Sequence, residues 1–316
     1  MSMDFREYIK GRKVLFDGGM GSMLIAAGMG EKEIPEQWNS LYPGRLVDIH
    51  SAYFEAGAEV VQTNSFGGSG LKLSASEAGR TLDPSEVNET AVRLVREALA
   101  RFSPDAEAGS GEPDSSLDGG LRRFVAGDIG PSGEFFPPMG TLSAEKAKET
   151  FLVQAAALDR GGVDLFLIET MYDIREAVEA LRAVREISGK PVIVELTFDR
   201  KPRGFFTLMG DTPEKAAEIL SSEGADVIGA NCTIQSDVAA ELAGEFKKVT
   251  DLPILIQPNA GKPELSGGRA VYRQTPEEFA VDMERVLDAG ADAVGGCCGT
   301  TPEFIRALRL KMDSKG

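Results

Sequence analysis

One pattern recurs four times along this chain of 316 residues and limits the folds open to it: a glycine, an acidic residue shortly after it, and then an uninterrupted apolar run. The glycine suits the left-handed position that commonly follows the end of a helix. The apolar run is typical of a strand buried on both faces, as in a parallel sheet. The copies read EAGAEVVQTN (55–64), RGGVDLFLIET (160–170), SEGADVIGANC (222–232) and DAGADAVGGCC (288–298). Each copy therefore indicates a helix that ends just before a buried strand.

Further apolar runs bring the number of predicted strands to eight. They are Val14–Asp17, Val60–Thr63, Phe124–Gly127, Leu165–Glu169, Val192–Leu196, Val227–Asn231, Ile254–Gln257 and Ala293–Gly295. Helical segments follow most of them, and three of these segments begin with the helix-start sequence TPE, at Thr212, Thr275 and Thr301. Eight alternating units predict an α/β fold, a single (β/α)8 TIM barrel with its active site at the C-terminal ends of the strands. An open, doubly wound sheet is the alternative.

The barrel is predicted to occupy residues 1–316 as one domain, with a single interruption. Residues 102–120 contain the sequence SPDAEAGSGEPDSSLDGG, which is acidic and rich in Gly, Pro and Ser. A segment of this composition has little apolar surface to bury, so we predict a flexible surface insertion there.

The charge of the chain excludes several classes of partner. Its formal net charge is −16, which repels nucleic-acid phosphates and anionic membrane surfaces, so neither partner is expected. No apolar run approaches the roughly 20 residues that a membrane helix requires. The N-terminal sequence MSMDFREYIKGRK lacks the apolar core of an export signal, and three cysteines fit reduced thiols better than a disulfide framework. We therefore expect a cytoplasmic location.

All three cysteines lie at predicted strand ends, the rim where a TIM barrel carries its chemistry. Cys232 follows the sixth strand, and Cys297 and Cys298 follow the eighth within GGCCGT (295–300). Three converging thiols are typical ligands of a soft metal, above all Zn²⁺, with a fourth position open as in catalytic sites. Adjacent strand residues point to opposite faces, so Cys297 and Cys298 can share a metal only if the strand has ended before them. The alternative is a small buried Cys232 beside a Cys297–Cys298 redox pair.

Three other rim segments offer polar groups, each with a structural alternative. The loop DGGMG (17–21) could hold a carboxylate with its amides or form only a tight turn. Glu169, at the end of the fourth strand, could bind an ammonium group or cap a helix. Asn259 follows the seventh strand, where a turn is favoured over contact with a metal. His50, the only histidine, lies on a predicted helix far from these ends, and we expect a structural or surface role for it.

Taken together, these motifs resemble one family. DGGMG, ANC, PNAGKP and GGCCGTTPEFI, in this order and at these strand ends, are similar to the homocysteine S-methyltransferase domain. The resemblance covers nearly the whole chain, from Phe5 to Leu310. GDIGPSGEFFPPMG (127–140) and PNAGKP (258–263) look most like the homocysteine-binding module of cobalamin-dependent methionine synthases.

The resemblance implies a zinc-dependent enzyme that activates homocysteine as a zinc-bound thiolate and methylates it to methionine. It also implies roles for eight residues. The implied zinc ligands are Cys232, Cys297 and Cys298. The implied substrate contacts are the loop residues Asp17, Gly18 and Gly19, the amino-group acceptor Glu169, and Asn259, which approaches zinc when substrate is absent.

The methyl donor is the part that the resemblance leaves open. NCTIQS (231–236) and TNSF (63–66) depart from the commoner family sequences near the rim, where a donor approaches. The expected donor is methylcobalamin on a corrinoid partner protein or on downstream domains missing from this chain. S-methylmethionine or another sulfonium compound is the alternative. Betaine is less expected, because Thr170 stands where an aromatic residue would help to hold a quaternary ammonium.

Two functions from other classes are also compatible with a glycine-rich barrel rim. One is a phosphate-binding TIM-barrel lyase or isomerase. The other is a non-catalytic module that binds an amino acid. Neither alternative explains why three cysteines converge, and the presence of stoichiometric zinc would separate the first of them from a methyltransferase.

Overall fold

A computed structural model describes residues 4–102, 121–266 and 269–314. The predicted insertion at 102–120 lies outside these residues except for Phe102. Within the described ranges, no helix is both long enough and apolar enough to cross a membrane.

Eight parallel strands form the centre of the fold, and each matches one of the eight predicted runs. They are β1 (Val14–Leu15), β2 (Val60–Gln62), β3 (Phe124–Ile129), β4 (Leu165–Met171), β5 (Val192–Leu196), β6 (Val227–Gln235), β7 (Ile254–Asn259) and β8 (Ala293–Val294). The strand order β1-β8-β7-β6-β5-β4-β3-β2 follows the chain around a ring. A parallel bridge between Phe16 and Val60 joins β1 to β2 and closes it. The predicted (β/α)8 TIM barrel is therefore confirmed, and the open doubly wound sheet is excluded.

The helices surround this ring. They are α1 (Phe5–Tyr8), α2 (Met20–Ala26), α3 (Trp38–Leu41), α4 (Pro43–Glu55), α5 (Gly70–Ser74), α6 (Pro84–Ala100), α7 (Ala144–Gly161), α8 (Ile174–Ile187), α9 (Pro213–Ser222), α10 (Ser236–Val249), α11 (Pro276–Asp288) and α12 (Pro302–Asp313). Helix α7 ends at Gly162, which has a left-handed φ of 89° as its sequence pattern predicts. Thr212 and Thr275 cap α9 and α11 through their side chains. Thr301 occupies the corresponding position before α12 without a side-chain cap, because its hydroxyl bonds to Glu303.

Two short antiparallel hairpins were not among the predicted elements. Asp199–Lys201 pairs with Gly204–Phe206 after β5, and Glu264–Ser266 pairs with Arg269–Val271 after β7. Their strands are only three residues long, too short to show a period-two pattern. Both hairpins extend the loops at the C-terminal rim of the barrel.

The barrel interior changes from apolar to polar along the strands. Its lower part is a cluster that includes Phe16, Phe124, Leu165, Leu167 and Leu255, and α1 packs against it through Phe5 and Tyr8. Side chains alternate along a strand, so every second residue points into the barrel. The inward residues nearer the C-terminal ends of the strands are polar. These positions are the half-buried Gln62 and the buried Asp128, Glu169, Glu195, Asn231, Gln257 and Asn259. A filled apolar base thus supports a polar mouth at the C-terminal ends of the strands.

Candidate metal centre and amino-acid site

The three cysteine sulfurs meet at this mouth. The Sγ atom of Cys298 lies 4.0 Å from the Sγ of Cys232 and 4.0 Å from that of Cys297, and all three lie within 4.8 Å of one another. Tetrahedral Zn²⁺ with Zn–S bonds of ~2.3 Å separates its sulfurs by roughly 3.8 Å. The thiols are free and lack the bonding distance of a disulfide. Among the described residues this is the one group of three His, Cys, Asp or Glu that is close enough to share a metal ion.

The backbone brings the sulfurs together by leaving regular strand geometry. Strand β8 ends at Val294, before both of its cysteines, as the shared-metal interpretation requires. The N–H of Cys297 donates to the carbonyl of Pro258 on β7 (2.9 Å), which fixes the loop against the neighbouring strand. Cys232 has a left-handed φ of 64°, and the register of β6 against β7 shifts just after it. A positive φ is uncommon for a residue with a side chain and marks a position that its surroundings constrain.

The ionisation of the cluster favours a cation. Hydrogen bonds from Cys232 and Cys297 lower the pKa of Cys298, and hydrogen bonding to Cys232 and Cys298 raises the pKa of Cys297. Cys298 thus ionises readily while Cys297 is held in the neutral form, because thiolates this close together repel one another. Three thiolates at this spacing need positive charge between them, and a divalent soft metal supplies it. The donor set therefore fits Zn²⁺.

Asn259 lies beside the cluster at the end of β7. Its Oδ1 accepts a hydrogen bond from the backbone N–H of Cys298 (3.1 Å), and the N–H of Ala260 donates to the carbonyl of Cys298 (3.0 Å). The Asn259 side chain is buried. Its amide oxygen is thus next to the metal ligands, and its movement onto a metal ion stays a prediction.

The loop after β1 contacts the cysteine loop directly. The Oδ2 atom of Asp17 accepts from the N–H of Gln62 (2.9 Å), whereas its buried Oδ1 atom has no partner among the described residues. Burial raises the pKa of Asp17 to about 7. The N–H of Gly19 donates to the Thr300 hydroxyl (3.0 Å), so this amide is used within the protein. A Cβ atom on Gly18 would lie 2.7 Å from the same hydroxyl oxygen, which makes glycine necessary there.

Glu169 lies in the mouth at the end of β4. Its Oε2 atom accepts from the Nδ2 of Asn231, the residue before Cys232, at 2.8 Å. Burial raises the pKa of Glu169 to about 8, and the negative charges of Asp17 and Cys298 add to the effect. Among the described residues no positive charge offsets this shift, and a ligand with an ammonium group would supply one.

Several residues of the site were not identified from the sequence. Asn231 orients Glu169, and Gln257 donates to Glu195 (2.8 Å) deeper in the barrel. The period-two alternation of β6 and β7 places both side chains inward, and this signal could have identified them. Tyr272, directly after the second hairpin, packs against the cysteine loop, where its ring leaves no room for a Cβ on Gly299. No local pattern marks Tyr272, because its role depends on a contact distant in the sequence.

Comparison with known proteins agrees with this geometry. A family model described as homocysteine S-methyltransferase matches residues 14–312. Two proteins named methionine synthase, from Mycobacterium tuberculosis (strain ATCC 25618 / H37Rv) and Mycobacterium leprae (strain TN), are each 30% identical to this chain over 318 residues. Each alignment covers 96% of this chain and 25% of the relative, so the chain spans about a quarter of the length of these curated relatives.

Solved structures share the fold. The homocysteine methyltransferase MmuM from Escherichia coli, in its metallated form, superposes with a TM-score of 0.74 and 22% identity. That match covers 97% of this chain and 99% of the MmuM chain. The carboxyl transferase domain of Rhizobium etli pyruvate carboxylase is more distant, with a TM-score of 0.51 and 16% identity. At these identities the structural matches establish the barrel fold alone.

Proposed function

The chain belongs to the homocysteine S-methyltransferase family, and on that basis we propose that it is a zinc-dependent enzyme that methylates homocysteine to methionine. The observation that supports this most directly is the meeting of three cysteine sulfurs within 4.8 Å of one another at the barrel mouth. The buried carboxyl group of Glu169 lies in the same mouth, and no positive charge of the described residues offsets its raised pKa. One site thus offers a thiol-binding metal centre and an ammonium-binding group.

Cys232, Cys297 and Cys298 would hold the metal, and three protein ligands leave one position for a substrate sulfur. When bound, Zn²⁺ supplies Lewis acidity, which lowers the pKa of a thiol that joins the three cysteine sulfurs. A free thiol has a pKa of about 8.5 and is mostly protonated at neutral pH, so this activation is what a thiol nucleophile needs.

The other residues of the mouth would orient the amino acid. Glu169 would accept the α-ammonium group, and Asn231 keeps the carboxylate in place by donating to Oε2. The backbone of the loop that contains Asp17, Gly18 and Gly19 would position the α-carboxylate end. These contacts hold the substrate so that its sulfur lies at the open side of the cysteine cluster.

The methyl transfer itself needs no further base. The sulfur lone pair forms the new S–CH3 bond while the bond between the methyl group and the donor breaks, and the electron pair of that bond leaves with the donor. We propose that the donor is methylcobalamin, carried by a corrinoid partner protein or by further domains, since the chain spans about a quarter of the methionine synthases that it matches. A sulfonium donor such as S-methylmethionine is the second candidate, because a small diffusible donor needs no corrinoid module.

A parallel assay tests both parts of the proposal. Zinc-loaded protein is incubated with homocysteine and, separately, methylcobalamin, S-methylmethionine or betaine, and methionine is quantified by mass spectrometry. We expect methionine with the first donor, and none from the Cys298→Ser variant. If methionine forms only with S-methylmethionine, that compound is the donor in place of methylcobalamin. No methionine with any donor, together with no homocysteine binding, would refute the proposed function.

A further inference from the structure

A hydroxyl group links the amino-acid loop to the cysteine loop. The Oγ1 atom of Thr300 accepts a hydrogen bond from the N–H of Gly19 (3.0 Å) and donates one to the carbonyl of Cys297 (2.7 Å). Thr300 is fully buried. A single side-chain oxygen thus connects the loop after β1, where the amino-acid end of the substrate would lie, to a residue of the metal cluster.

The two loops are in direct contact around this hydroxyl. A Cβ atom on Gly19 would lie 2.5 Å from the carbonyl oxygen of Cys297, and one on Gly18 would lie 2.7 Å from the Thr300 hydroxyl oxygen. Two further hydrogen bonds join the loops: Gly296 N–H to the Asp17 carbonyl (2.9 Å) and Gly299 N–H to the Ser22 hydroxyl (2.8 Å). We call these contacts the loop seam. Close packing of this kind resists small displacements of one loop against the other.

We propose that Thr300 is a positioning residue that fixes the separation between the metal-binding thiols and the amino-acid loop, and thereby selects homocysteine over the shorter thiol amino acid cysteine. This inference rests on the proposed function. A substrate that is held at its sulfur and at its α-carbon must span a set distance. Cysteine is one methylene shorter than homocysteine, so it cannot satisfy both ends unless the loops move.

The physical reason for a hydroxyl at this position is that it bonds to two partly buried backbone groups at once. Replacement of Thr300 by Val keeps the shape of the side chain and leaves the Gly19 N–H without its acceptor. The Cys297 carbonyl loses the hydroxyl donor and keeps only the Thr300 N–H (3.1 Å). An unsatisfied buried group is costly, so the loops are expected to separate or admit water. Replacement by Ser keeps the hydroxyl and both hydrogen bonds. Thr301 provides a matched control, because its hydroxyl bonds to Glu303 outside the loop seam.

The test compares Thr300→Val, Thr300→Ser and Thr301→Val with the wild-type protein. Zinc-loaded proteins are titrated with homocysteine and with cysteine, and the ratio of the two dissociation constants is the readout. The loss of one methylene is typically worth about 10- to 200-fold in a fitted site. We expect Thr300→Val to reduce the wild-type ratio by about tenfold, and Thr300→Ser and Thr301→Val to retain it. Zinc content and melting temperature are recorded for each variant.

A second readout needs neither metal nor substrate. Amide hydrogen exchange in the peptide that contains Gly19 should be faster in metal-free Thr300→Val than in Thr300→Ser, because only the Val variant removes the acceptor of the Gly19 N–H. If Thr300→Val does not fold, Ser22→Ala takes its place. This variant removes the acceptor of the Gly299 N–H, so hydrogen exchange is then followed at Gly299 instead of Gly19. The inference would be overturned if the variant kept both the wild-type ratio of dissociation constants for homocysteine and cysteine and the wild-type rate of amide exchange in the loop seam. Failure of the wild-type protein to bind homocysteine would instead refute the proposed function.

Discussion

Replacement of Glu169 by Gln removes the charge proposed to bind the substrate ammonium group and changes little else. The side chain keeps its size, and the Gln amide oxygen can still accept from Asn231, which donates to Glu169 at 2.8 Å. None of the three cysteines is altered, so we expect one zinc ion per chain in the variant. The expected defect is a loss of homocysteine affinity.

The size of the defect follows from the burial of the group. Removal of one partner of a buried, hydrogen-bonded charge pair typically costs about 2–5 kcal/mol. The pKa of Glu169 is raised to about 8, so ionising it at pH 7 offsets about 1.4 kcal/mol of that gain. The remainder is about 0.6–3.6 kcal/mol, and its middle corresponds to a roughly thirtyfold loss of affinity. The affinity difference between the wild-type protein and the variant should grow as the pH rises from 7 towards 8. Ionisation of Glu169 increases the affinity of the wild-type protein for homocysteine, and the variant has no such group.

Isothermal titration of zinc-loaded protein with homocysteine at pH 7 and 8 measures both effects. Glu195→Gln is the matched control: Glu195 is fully buried deeper in the barrel, and burial raises its pKa well above the usual range. Its Oε2 atom accepts from Gln257 (2.8 Å), and the amide oxygen of Gln can keep that hydrogen bond, so Glu195→Gln should bind homocysteine as the wild-type protein does. Equal affinity of Glu169→Gln and wild type at both pH values would refute the assigned role. Loss of zinc from Glu169→Gln would show that the residue supports the metal centre instead.

Three further predictions concern the metal and the fold. Metal-replete, reduced protein should contain about one zinc per chain bound by three sulfurs, and X-ray absorption that finds no sulfur-coordinated metal would contradict this. Crystals without and with homocysteine should show Asn259 on the metal only in the free enzyme; a water ligand in its place would refute the exchange. His50 is buried without a hydrogen-bond partner in the described chain, and burial lowers its pKa to about 3. Between pH 6.5 and about 3, the unfolded state binds a proton at His50 and the folded state does not. The free energy of unfolding should therefore fall by about 1.4 kcal/mol for each pH unit by which the solution is acidified. Urea unfolding of His50→Phe should lose that part of the acid sensitivity.

The sequence by itself determined the architecture and the family. Glycine before an apolar run marks the end of a helix and the start of a buried strand, and both signals depend on residues close together in the chain. Eight apolar runs, four of them preceded by such a glycine, predicted the barrel, and all eight strands were confirmed. Strand order then placed Cys232 at the same rim as Cys297 and Cys298. The two short hairpins were missed because strands of three residues carry no readable period.

Only the tertiary structure decided how the rim becomes a site. The sulfurs approach to 4.0 Å because Cys232 adopts a left-handed backbone and because β8 ends before its cysteines. Thr300 joins two loops that are separated by almost the whole sequence, and Tyr272, which follows a hairpin that the sequence did not predict, packs against Gly299 in the cysteine loop. A local sequence pattern predicts whether a residue faces inward, since that follows from the side-chain period of a single strand or helix. It does not record which distant residue lies opposite, because that depends on the closure of all eight strands into one ring.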